Sequence, residues 1–292
     1  MKYAYFPGCS LHSTASEYDL STKAVCRELG IELEEIPDWN CCGATSAHSL
    51  SREVGIALPL RNLAKAEEMG LDVVTPCAAC FNRLKSANDT VKRDPAMLSL
   101  MGEKYGINYK GTVNTLSLLS VVYGLGVEAI QSHVKRELAG LKPACYYGCL
   151  LLRPPDVADF DDAENPISLD ELMGSLGAEA VKWPYKTECC GASLSLSKSE
   201  IVVKLTHDIL SMAKRSGANC IVTACPLCQG NLDMRQSQVE AKYGEKFGLP
   251  IFYFTQVLGM AFGLPESSLG LKKLMVNPQP VLAGIGKGVE TG

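Results

Sequence analysis

"DVVTPCAAC", residues 72–80, runs from a β-branched stretch straight into a C-x-x-C pair, and "CIVTACPLC", residues 220–228, does the same. A short apolar, β-branched run bounded by turn residues reads as a buried strand, here with thiols at its C-terminal end. Upstream of each lies a vicinal pair, in "DWNCCGATSAHS" (38–49) and in "TECCGASLSLS" (187–197). The interval from vicinal pair to C-x-x-C is 34 residues both times, 43–76 and 191–224. Further upstream stand "YFPGC" (5–9) and "YYGC" (146–149), each aromatic and ending Gly-Cys. Only the interval from that cysteine to the vicinal pair differs, 31 residues against 39, and "RPPDVADFDDAENP" (153–166) accounts for the excess as a surface loop. "ELGIELEEIP" (28–37) and "SLGAEAVKWP" (175–184) also correspond. The chain is an internal duplication with its seam near "AGLKP" (139–143).

Each half alternates strand and helix. Strands are expected at "KYAYF" and "ACYY", at "IELEEI" and "AEAVKW", and at "LDVVT" and "NCIVT". Helices are expected over 15–30 and 50–70 in the first half and over 168–177 and 198–217 in the second, with Pro59 weakening the 50–70 helix locally. Such alternation predicts an α/β fold with a mostly parallel sheet in each half and flanking helices. Cysteines that follow strands then gather beyond the C-terminal edge of the sheet, where open α/β folds bind ligands.

The 292 residues carry 28 basic and 32 acidic side chains, a net charge of −4, without the basic footprint of a nucleic-acid binder. The opening "MKYAYFPGCS" lacks the apolar core of a signal peptide, and "LSLLSVVYGLGVEAI" (116–130) is too short to cross a bilayer. A soluble cytoplasmic chain is expected, with no nucleic acid and no membrane span.

Thirteen cysteines in such a chain argue for metal or redox chemistry, because the odd count and the missing export signal disfavour a disulfide framework. Neighbouring thiols rarely pair with each other, since the bond strains the peptide between them, but they can serve one inorganic centre together. Two equivalent sets emerge: Cys9, Cys41, Cys42, Cys77 and Cys80, and Cys149, Cys189, Cys190, Cys225 and Cys228. Five thiols are awkward for one tetrahedral zinc and suit an iron–sulfur group with several irons, although the bacterial ferredoxin run is absent. Gly8, Gly43, Gly148 and Gly191 beside these cysteines read either as close-approach and N–H-donating positions or as plain turn residues.

Cys26, without a counterpart in the second half, and Cys220 read as core thiols. Cys145, four residues before Cys149, reads as core with a ligand role open. The four histidines share no spacing, but His12 and His48 stand beside ligand loops. Arg83 and Arg153, a few residues past ligand cysteines, are candidates for a substrate anion beside the plainer reading of solvated arginine.

Two copies of C-x(31–39)-C-C-G-x(33)-C-x-x-C, with "YFPGCS" and the "CCGA" loops, resemble the CCG-domain proteins, specifically the B subunit of heterodisulfide reductase, over essentially the whole chain. The resemblance implies an N-terminal CCG domain over 1–141 and a C-terminal one over 142–292, related by a pseudo-twofold, each with a cluster site at its sheet edge. It implies two non-cubane 4Fe–4S clusters, one on each five-cysteine set, with the disulfide of coenzyme M and coenzyme B, or an analogous small-molecule or protein disulfide, cleaved between them. It also implies partners, since the chain shows no flavin or nucleotide fingerprint: the ferredoxin-like iron–sulfur C subunit and the flavin-containing A subunit of such a complex. Cleaving a disulfide takes two electrons while a cluster passes one, so two clusters facing one cleft suit the reaction. Related CCG subunits serve quinone-linked complexes oxidising hydroxyacids or succinate, which leaves an electron relay as the alternative, and a metal-stabilised scaffold as a third reading.

Overall fold

The computed structural model describes residues 1–44 and 47–286; Thr45 and Ser46, in the first vicinal-cysteine loop, and 287–292, the tail of the second expected domain, lie outside the described residues. Seven strands among the described residues form two sheets, every pairing parallel. The first sheet takes β1 (Lys2–Tyr5), β2 (Glu32–Glu35), β3 (Val73–Thr75) and β4 (Thr115–Ser117), in the order β2-β1-β3-β4. The second takes β5 (Pro143–Tyr146), β6 (Cys220–Thr223) and β7 (Ile251–Tyr253), in that order. The α/β class, the parallel pairing and the flanking helices are as the sequence implies.

Alternation along the strands assigns the layers. Ala4 and Phe6 of the β1 segment and Val73 of β3 pack with Leu60, Leu63 and Leu84, from the helices Arg52–Met69 and Ala78–Arg93. Tyr5 and Val74, on the opposite face, join Tyr18, Val25, Tyr146, Ile221 and Phe254 in a core that runs through both halves. A parallel sheet buried on both faces needs apolar residues at consecutive positions, which is what "YAYF" and "VVT" provide.

The segment "AEAVKW" is not a strand. Glu179 and Val181 donate backbone N–H bonds to the Leu141 and Pro143 carbonyls at 2.9 and 3.0 Å, as a parallel neighbour of β5 should. Pro143 has no N–H to return a bond, and the Cys145 carbonyl accepts from the Trp183 indole at 3.0 Å instead of from a backbone N–H. The ladder stops there. β4 and β7, which complete the sheets, fall outside the strands the sequence predicts; each is three residues long and passes directly into a helix, Leu118–Tyr123 or Phe254–Ala261. Pro59 lies inside Arg52–Met69 without ending it. That helix starts at Ser51, whose hydroxyl accepts the Val54 N–H at 3.3 Å, and closes on Gly70 at φ 67°.

Tyr18, on the helix Ser16–Glu28, joins the halves at their centre. Its hydroxyl sits 3.3 Å from the carbonyls of both Pro76 and Ala224, the residues preceding the two C-x-x-C pairs. Its ring stacks on Tyr253 with centroids 4.0 Å apart and planes 6° from parallel. Ser21 and Thr255 share a hydrogen bond of 2.7 Å, and Asn82 donates to the Arg153 carbonyl at 2.7 Å.

Candidate functional site

Every candidate cysteine lies at or just beyond the C-terminal end of its sheet. Cys9 is in the turn Gly8–Leu11 after β1, and Cys149 follows β5. Cys77 and Cys225 cap the helices Ala78–Arg93 and Pro226–Met234, which place Cys80 and Cys228 one turn in. The vicinal pairs sit in extended loops, the first held by a buried side chain. Asn62 accepts from the Asn40 N–H and donates to the Asn40 carbonyl, both at 2.9 Å. In the second half Asn231 donates to the Cys190 carbonyl at 2.9 Å. These asparagines carry no sequence signature beyond their polarity on otherwise apolar helix faces.

The thiols come together in the same way twice. Cys42 and Cys80 place their sulfurs 3.3 Å apart, and Cys190 and Cys228 theirs 3.5 Å apart. Cys9 reaches Cys41, and Cys149 reaches Cys189. The hydrogen bond from Cys149 lowers the Cys189 thiol to about 6, and bonds from Cys42 and Cys9 hold Cys41 well below the ordinary thiol range. Cys42 is pushed up to about 11, chiefly by Cys41. Cys77 and Cys225 also contact each other, so the two sets meet at their C-x-x-C pairs, beneath Tyr18.

The glycines serve both as turns and as close-approach positions. Gly8 has φ 69°, and a Cβ there would stand 2.8 Å from the Cys80 sulfur; at Gly148, φ 68°, it would stand 3.1 Å from that of Cys228. Gly43 and Gly191 donate their N–H groups to the sulfurs of Cys41 and Cys189 at 3.4 and 3.3 Å. Neighbouring sulfurs spread over three loops, with backbone N–H donors, fit a larger, sulfide-containing group better than one ion.

A cavity of about 90 Å³ opens against the second set. Cys149, Cys189, Cys190, Cys225 and Cys228 line it from one half, Ala44, Ala78 and Ala79 from the other, and Leu150 and Leu227 make it apolar. Among the described residues no charged side chain lines it.

The remaining candidates are not among the converging thiols. Cys26, Cys145 and Cys220 are buried, and burial raises the thiol of each, Cys26 to about 12. Cys145 is on β5, in register with Val222. Arg153 is engaged by Glu164 at 2.9 Å. His12 pairs with Glu35 at 3.0 Å and packs edge-on to Trp39, whereas His48 lies 3.3 Å from the Gly43 carbonyl. Among the described residues no helix is long and apolar enough to cross a membrane.

The chain resembles several known proteins over most of its length. The chain is 35% identical over 277 residues, 94% of its length and 97% of the relative's, to the 8-methylmenaquinol:fumarate reductase membrane anchor subunit of Wolinella succinogenes. It is 31% identical over 292 residues to the B subunit of the ferredoxin/F420H2-dependent CoB-CoM heterodisulfide reductase of Methanosarcina acetivorans, covering 97% of each. A hypothetical protein from Helicobacter pylori shares the fold at a TM-score of 0.71 and 14% identity, over 94% of this chain and 52% of that one. The cysteine-rich CCG domain model matches residues 3–85 and 144–233, once around each five-cysteine set, and the chain belongs to that family.

Proposed function

We propose that the chain is the catalytic component of a heterodisulfide reductase-like complex, in which residues 1–141 and 142–292 act as two CCG domains on one substrate. Cys9, Cys41, Cys42, Cys77 and Cys80 would hold one 4Fe–4S group, and Cys149, Cys189, Cys190, Cys225 and Cys228 the other. The observation that carries this reading is the cavity: second-half cysteines and first-half alanines line one apolar space, next to the point where Cys77 meets Cys225. When bound, such groups supply electrons one at a time, so two of them meet the two-electron demand of a disulfide. The chain's own residues do the rest. Leu150 and Leu227 exclude water beside the second thiol set, while Tyr18 fixes the separation of the two C-x-x-C loops. Gly43 and Gly191 aim N–H dipoles at thiolate sulfur. Breaking one S–S bond consumes two electrons and two protons and yields two thiols. The electrons would come through a ferredoxin-like iron–sulfur partner, fed in turn by a flavin-containing one.

A second reading has its own support. The relative at 35% identity is named for a quinol and fumarate, and an apolar cavity also suits passage of electrons toward or from a quinone. In that case the chain relays electrons within a quinone-linked dehydrogenase or reductase and turns over no disulfide. Anaerobic purification with iron, sulfide and zinc analysis, followed by assays with a low-potential donor on candidate disulfides, separates the readings. Thiol release supports the first; clusters that exchange electrons with a quinol but release no thiol support the second; stoichiometric zinc with little iron defeats both.

A further inference from the structure

We propose that the groove where the Arg52–Met69 and Ala78–Arg93 helices meet is a receptor for an oxyanion carried by the substrate, a sulfonate, phosphate or carboxylate, with Arg52 and Arg83 as its cationic contacts. This rests on the reading that a small-molecule disulfide is reduced between the two thiol sets. The groove measures about 230 Å³ and is lined by His48, Arg52, Arg83, Ser86 and Thr90, with no acidic side chain among the described residues. Two arginines there stand out in a chain of net charge −4.

The neighbouring acids are committed elsewhere. Glu53 is held by Lys104 at 2.6 Å and Tyr105 at 3.1 Å, and Asp89 by Arg93 at 2.9 Å. Among the described residues, neither guanidinium forms an ion pair; Arg83 makes one bond, 3.2 Å, to the Asn82 side chain. Planar forks with free donors, beside a hydroxyl and an imidazole, match the geometry of an oxyanion better than that of any cation or apolar group.

The groove also lies in the right place. His48 is 3.3 Å from the carbonyl of Gly43, the residue after Cys42. Ala79 lines the cavity, and Arg83, Ser86 and Thr90 follow it down one face of the same helix at spacings of three and four. That face leads from the redox cavity into the groove. The residues beside the second thiol set are uncharged, so the counter-charge for an anionic substrate lies further along this face, at Arg83 and Arg52.

The test begins with binding, which needs no turnover. Isothermal titration of ethanesulfonate and of inorganic phosphate into the anaerobic, cluster-loaded protein at low ionic strength compares wild type with Arg52→Gln, Arg83→Gln, Arg83→Lys and a control, Arg215→Gln, at the far end of the Ser199–Arg215 helix. Each glutamine variant should weaken binding of at least one anion about tenfold, Arg83→Lys should recover part of it, and the control should match wild type. Equal binding in all variants, or equal loss in the control, overturns the site. A second arm measures the KM of bis(2-sulfoethyl) disulfide against that of uncharged bis(2-hydroxyethyl) disulfide. The ratio should rise about tenfold in Arg52→Gln and Arg83→Gln, and an unchanged ratio overturns the substrate-anchoring role. If wild type reduces neither disulfide but the binding pattern holds, the oxyanion site stands and the disulfide-reductase reading falls.

Discussion

Replacing Gly8 by alanine tests the cluster geometry at one atom. At φ 69° an alanine costs about 1–2 kcal/mol for the left-handed conformation wherever it sits. Gly70 provides the comparison, because it has φ 67° and a Cβ there meets nothing within 4 Å. At Gly8 the new methyl stands 2.8 Å from the Cys80 sulfur. That is roughly 0.7 Å inside a comfortable contact of about 3.5 Å. Cys80 cannot yield freely, being buried and 3.3 Å from Cys42. Gly70→Ala should therefore lower the melting temperature by a few degrees, at about 2–4 °C per kcal/mol, and keep all its iron. Gly8→Ala should lower it further and also drop from about eight irons to about four, since each 4Fe–4S group holds four. Anaerobic iron and sulfide analysis with electron paramagnetic resonance of the reduced protein reads the difference. Full iron and an unchanged spectrum in Gly8→Ala, or equal iron loss in Gly70→Ala, would refute the close-approach role.

Cys41→Ser and Cys190→Ser should each disturb one cluster and leave the other, whereas Cys26→Ser should keep both; iron content and spectra decide it, and cluster loss in a normally folded Cys26→Ser would contradict the ligand assignment. Tyr18→Phe removes the hydroxyl between the Pro76 and Ala224 carbonyls and should cost about 1–2 kcal/mol, seen as a lower melting temperature of the metal-free protein. Asn62→Ala strands the Asn40 N–H and carbonyl and should destabilise by about 1–3 kcal/mol, with the N-terminal cluster the more labile to chelator.

The repeat, most strands and the helices over 15–30, 50–70, 168–177 and 198–217 were legible because each is local, whereas the helices Ala78–Arg93 and Pro226–Met234, which carry Cys80 and Cys228, were not among the expected elements. What could not be read has a physical origin. "AEAVKW" looks like the partner of "IELEEI", but its pairing depends on Pro143 and on where the Trp183 indole points. β4 and β7 are too short to show a period before their helices begin. The placement of the two cysteine sets against each other rests on contacts such as Tyr18 with Ala224, 206 positions apart, which no local pattern encodes. Asn62 and Asn231 act through the backbone of the vicinal loops, so their residue type alone says nothing of the role.

The most direct test of the central claim is thiol release from a disulfide by wild type, Cys42→Ala and Cys190→Ala, with a low-potential donor and the iron–sulfur partner present and the remaining cluster shown to be intact and reducible. If both halves serve one substrate, neither set can complete the two-electron cleavage alone, and both variants should fall to background. Appreciable thiol release by either variant, with its damaged cluster confirmed absent, would contradict a shared site.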